Sequence, residues 1–89
     1  MASETESPLQ FPCRFPIKAV GAAEEDFVAH VRTLVERHVT PLPEDAIQSR
    51  ASRQGSFVSV TITIEATSRQ QLDAIYRELT ASERVKFAL

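Results

Sequence analysis

An α+β sandwich in the order βαββαβ, with two helices on one face of a four-stranded antiparallel sheet, is the fold that three features of this sequence predict. The first is strict alternation over residues 57–65, where Val58, Val60, Ile62 and Ile64 point one way and Phe57, Ser59, Thr61, Thr63 and Glu65 the other. The second is a pair of helical stripes, Phe27, Val31, Leu34, Val35 and His38 in one and Leu72, Ile75, Tyr76 and Leu79 in the other. The third is that shorter alternating segments precede, separate and follow these helices.

Taken in order, residues 1–10 are Ser-, Thr- and Glu-rich with Pro8 and no apolar period, which predicts a flexible tail before a single domain over 11–89. Phe15, Ile17 and Ala19 alternate with Pro16 and Lys18 up to Gly21, a first strand whose regular pairing is expected to begin after the donor-less Pro16. Residues 22–38 read as the first helix, with Glu24, Glu25 and Asp26 in its opening turn, where the helix dipole favours carboxylates. Pro41 and Pro43 stop it. A weak strand over 47–52 and a turn at Arg53, Gln54 and Gly55 lead into the strong third strand. Ser68 and Gln71 have capping-box spacing at the head of the second helix. Val85, Phe87 and Leu89 then alternate with Arg84 and Lys86 in a closing strand. Right-handed crossovers in two βαβ halves make this a ferredoxin-like sheet with strands one and three in the centre.

At 89 residues the chain holds one core, and so small a core makes dimerisation a natural stabiliser. Of twelve acidic residues, Glu4 and Glu6 lie in the tail, leaving ten against ten Lys and Arg. A near-neutral folded part argues against non-specific nucleic-acid binding, which needs excess cations to displace counterions. One cysteine, Cys13, allows no intrachain disulfide and no thiolate-rich metal site, which fits a reducing cytoplasm. No apolar run has the length of a membrane span.

The chemistry-bearing residues are scattered. His30 and His38 sit about 12 Å apart along one helix, too far to share a metal; His38 is expected to pack or to bond a carbonyl, and His30 to lie at the surface. Cys13 has no neighbouring base, and Gly21 and Gly55 as the only glycines exclude a Gly-rich phosphate loop. No enzyme, no metal and no cofactor are therefore expected. The open sheet face is the remaining candidate. Parity assigns it Lys18, Arg50, Phe57, Ser59, Thr61, Thr63, Glu65, Arg84 and Lys86. Such a face is either simply solvated or a docking surface, with Lys and Arg beside hydroxyls to hold an anion and Phe57 to anchor a partner. RNA-recognition modules share the βαββαβ order, but Phe57 is the sole aromatic on strand three and Phe15 points to the helices, so the paired stacking platform is missing.

Phe11-Pro12, Lys18-Ala19-Val20-Gly21, Arg37-His38, and above all Gly55 followed by Ser59-Val60-Thr61-Ile62-Thr63-Ile64-Glu65-Ala66-Thr67, resemble the YbeD family of small bacterial proteins. The resemblance continues through Leu72, Ile75-Tyr76, Glu78-Leu79 and Leu89. It implies a ferredoxin-like fold similar to ACT regulatory domains, which bind small effectors, and an association with lipoate metabolism through genes lying near the lipoyl-transfer enzyme. An ACT-type ligand site would fall at Val20-Gly21-Ala22. The expected function is thus a non-enzymatic regulatory or interaction module for a protein or small effector, acting through the open face, an edge strand or the Gly21 junction. RNA binding is the alternative.

Overall fold

The structure is a computed structural model that describes residues 10–89. The tail expected over 1–10 lies, but for the exposed Gln10, outside the described residues. Alternation over 57–65 matures into the longest pairing of the molecule. Strand β1 (Cys13–Ala22) runs antiparallel to β3 (Phe57–Ala66) in continuous register from Cys13↔Ala66 to Ala22↔Phe57. Strand β2 (Ile47–Ala51) flanks β3, and β4 (Val85–Ala88) flanks β1, giving the order β2-β3-β1-β4. Helices α1 (Phe27–Glu36) and α2 (Arg69–Thr80) connect them, and a 3-10 turn at Glu44–Ala46 leads into β2. The ferredoxin-like topology expected from the sequence is the one observed.

The inward-facing set of the central pair, Ile17, Ala19, Val60 and Ile62, is at most 1% exposed and forms the floor of the core. Phe27, Val31 and Val35 of α1 and Ile75 and Leu79 of α2 close over it, also at most 1% exposed. Helical spacing thus delivers the two apolar stripes to one side of the sheet. No buried polar or charged residue is present among the described residues, so hydrophobic burial dominates the interior.

Two boundaries differ from the sequence reading. Strand β1 starts at Cys13, before Pro16 rather than after it. The Lys18 and Leu89 backbones exchange hydrogen bonds of 3.1 and 2.8 Å, so Lys18 faces β4. Pro16, two residues upstream, faces the same flank past the end of that pairing, where its missing N–H leaves no gap in a ladder. Helix α1 starts at Phe27 rather than Ala22, so Glu24, Glu25 and Asp26 precede it instead of filling its first turn. Asp26 occupies the N-cap position without a side-chain capping bond, because its carboxylate is engaged by Arg84. The helix ends at Glu36, with Pro41 and Pro43 following in a strap that buries Leu42.

Gly21 explains how β1, α1 and the start of β4 fit together. It is buried, and a Cβ placed there would overlap both the Phe27 ring and the Arg84 carbonyl. Its role is close approach rather than an unusual backbone angle; Gly55 in the β2–β3 turn is the residue that needs a positive φ, 77°.

Beside Gly21 the β1–β4 register shifts: Gly21 pairs with Val85, but Val20 pairs with Phe87. Two steps on β4 oppose one on β1, which makes Lys86 the extra residue of a β-bulge. The bulge inverts parity. Val85 faces the core at 8% exposure and Ala88 packs against it, whereas Phe87 and Leu89 turn to the open face at 52% and 66%. The expected alternation of inward Val85, Phe87 and Leu89 is therefore corrected: only Val85 is core. Arg84 also leaves the open-face set, since it precedes the strand and reaches Glu24 and Asp26, while Lys86 stays exposed in the bulge beside Phe87.

Gly21→Ala is expected to cost about 1–3 kcal/mol through overpacking, read as a lower urea midpoint at unchanged slope. Val85→Ala is expected to cost about 1–3 kcal/mol, while Phe87→Ala stays within about 0.5 kcal/mol. Equal losses at Val85 and Phe87 would contradict the bulge.

Candidate functional site

On the open face the register sets side chains in rows across the sheet. Arg50, Ser59, Val20 and Phe87 form one row; Gln48, Thr61, Lys18 and Leu89 form the next. Thr63 lies beyond them opposite Pro16, and Phe57 lies on the other side opposite Ala22. Six of the seven candidates, Lys18, Arg50, Phe57, Ser59, Thr61 and Thr63, thus share one surface. The seventh, Gly21, does not: it is buried beneath the Phe27 ring.

Lys18, Gln48, Arg50, Ser59 and Thr61 line a shallow depression of about 560 Å³. Beside it stand Phe57, Phe87 and Leu89, the exposed large hydrophobic residues of the structure. Val20, Gln48, Phe87 and Leu89 were not singled out as site residues by sequence reading. Gln48 and Val20 follow from strand parity once β2 and β1 are in register. Phe87 and Leu89 have no local signal, because the register shift that turns them lies in the pairing with β1. Tyr76 holds the end of β4 from α2, its hydroxyl donating to the Leu89 carbonyl at 2.6 Å. Burial pushes the Tyr76 pKa up, which keeps that hydroxyl a donor at neutral pH.

Several ionisable side chains on the helix side tie elements together. The Arg84 guanidinium donates to Asp26 at 2.6 Å and to Glu24 at 2.8 Å, joining the approach to β4 to the approach to α1. The hydrogen bond from Arg84 holds the Asp26 carboxyl below its ordinary range and raises the Arg84 pKa in turn. Glu24 and Asp26 thus form an interelement clasp with Arg84, with Asp26 at the N-cap of α1. Glu78 on α2 bonds His38 Nε2 at 3.0 Å and pairs with Arg37, both just past the end of α1, and these two bonds lower its pKa. His38 accordingly meets a carboxylate rather than a carbonyl. His30 is half-buried, with Nε2 2.8 Å from Ser82 Oγ, and not merely a surface residue. The Ser68 hydroxyl accepts from Gln71 N–H at 3.0 Å as its spacing predicts, and Gln71 returns a bond to Thr67 N–H at 2.8 Å.

Among the described residues no group of His, Cys, Asp and Glu has the arrangement of a metal site. Cys13 is a half-buried free thiol. A larger recess of about 690 Å³ lies between the strap and the far end of β3, lined by Arg14, His38, Glu65, Gln71 and the strap prolines. Its charged side chains are of both signs. No helix among the described residues is long and apolar enough to cross a membrane.

A four-stranded ferredoxin-like domain with an open, partly apolar sheet face is the class of protein that fold and site define. The chain belongs to the YbeD family: the family described as "Protein of unknown function (DUF493)" matches residues 6–89. A "UPF0250 protein" of Chromobacterium violaceum is 42% identical with both chains fully covered, and one of Paraburkholderia phytofirmans is 39% identical, also over the whole of both. The solution structure of protein HP0495 from H. pylori superposes with a TM-score of 0.72 at 17% identity, over 100% of this chain and 94% of that one. That likeness concerns the fold.

Glu78 titrates below its ordinary 4.5, so its bonds to His38 and Arg37 contribute stability that is full above 4.5 and lost as pH falls through the lower, folded value. Chemical denaturation at pH 7, 5, 4 and 3 is expected to show a steeper acid loss for wild type than for Glu78→Gln. Parallel pH profiles would remove Glu78 from that linkage.

Proposed function

We propose that this chain is a non-catalytic docking module that recognises a protein partner through the open face of its sheet. The observation that carries this reading is the gathering of Phe57, Phe87 and Leu89, 44%, 52% and 66% exposed, on one surface with Lys18 and Arg50. Contiguous apolar side chains rimmed by polar ones mark interaction sites, and aromatic and Arg anchors carry most interface energy. A flat surface also suits a protein better than a small effector, which favours an enclosed concave pocket. The burial of Gly21 beneath the Phe27 ring weighs against an ACT-type ligand contact there. An RNA platform would need aromatics on neighbouring strands; Phe57 on β3 and Phe87 on β4 are separated by β1. The association with lipoate metabolism makes the lipoyl-transfer enzyme a first partner to try, and regulation of a cytoplasmic enzyme is a role such docking would serve.

Site-specific photocrosslinking in native cytosol tests this. A benzophenone side chain placed at Phe57 or Thr61 is expected to yield discrete protein adducts, and one at Thr33 on α1 is expected to yield none. Adducts from Thr33 with none from the sheet face would reverse the reading.

A further inference from the structure

Arg32, Arg37 and Arg84 each hold a carboxylate of this chain. Lys18 and Arg50 hold none among the described residues, although they flank the open-face depression diagonally. Thr61, directly opposite Lys18, and Ser59, directly opposite Arg50, place two hydroxyl donors between them. Two unmatched cations around two hydroxyls form a receptor for an anionic oxygen group, since charge-assisted bonds are stronger than neutral ones. The same two rows continue without interruption into Val20, Phe87 and Leu89.

Strands lie about 4.8 Å apart, so the centre of the cationic end is roughly 10–12 Å from the Phe87–Leu89 end. An extended chain covers that in three to four residues at about 3.3 Å each. We infer that the open face binds a protein segment that crosses the strands in extended form, carrying an acidic residue for Lys18 and Arg50 and a large apolar residue three or four positions away for Val20, Phe87 and Leu89. This rests on the docking reading above and specifies its partner. Charge complementarity selects the acidic end, and the continuous rows require both elements in one ligand.

The test uses the full chain and three labelled ten-residue peptides in a Gly/Ser background. One carries Asp-Glu with Phe four positions on, the second has Lys-Lys for the acids, and the third has Ser for the Phe. Inorganic phosphate and oligouridine are further arms. The acidic Phe peptide is expected to shift the amides of Lys18, Arg50, Thr61 and Phe87 and to bind at least roughly fivefold more tightly than either variant, the scale of a truncated anchor. Lys18→Glu and Arg50→Glu should each weaken it roughly fivefold, with Arg50→Gln intermediate and the urea midpoint unchanged. Equal binding of the Lys-Lys peptide overturns the inference. So do shifts on this face from phosphate or oligouridine but not from the acidic peptide, or concentration-dependent self-association abolished by Phe87→Ser. If photocrosslinks from Phe57 survive both charge reversals, the acidic chemistry fails while docking stands; if no crosslink forms on this face, docking itself fails.

Discussion

Ten residues of β1 paired with ten of β3 form the axis on which the other elements depend. Because side chains alternate across a strand, one register between these two decides at once that Ile17, Ala19, Val60 and Ile62 are core and that Lys18, Val20, Ser59 and Thr61 are not. Each helix then needs only one apolar stripe to close over the inner side. The weaker strands inherit their faces from this axis: β2 has no fully buried side chain, yet Gln48 and Arg50 are assigned to the open face because they pair with Thr61 and Ser59.

The axis also contains the point where most of the chain converges. Gly21 lacks a side chain, so the Phe27 ring and the Arg84 carbonyl both approach the β1 backbone. That approach sets the start of α1 on one side and of β4 on the other, and the Arg84 clasp on Glu24 and Asp26 bridges them. The bulge at Lys86 lies directly beside it. Two apolar side chains of β4 consequently face outward rather than inward.

Polar matching differs between the two layers. On the helix side, Glu78 with Arg37 and His38, Gln71 with the His38 carbonyl, and Arg32 with Glu36 link or brace α1 and α2. The sheet face has no second layer over it, as a two-layer sandwich requires, and its cations and apolar side chains are left without partners in the described structure.

Periodicity by itself determined the element order, the central pairing, the two helical stripes and the shared face of six candidate residues, because a period of two or 3.6 is a local property that burial on one face enforces. The Ser68–Gln71 cap was equally local. What only the tertiary structure decided depended on contacts between distant segments. The acidic run before Phe27 read as a dipole match until Arg84, 58 residues beyond Asp26, took up its carboxylates. Gly21 read as a ligand junction until Phe27 packed onto it. Phe87 and Leu89 followed a faultless alternation with Val85, and one inserted residue in the pairing with β1 turned them to the opposite face. Alternation states which side chains lie together but not where a ladder slips, and a slip is set by the partner strand.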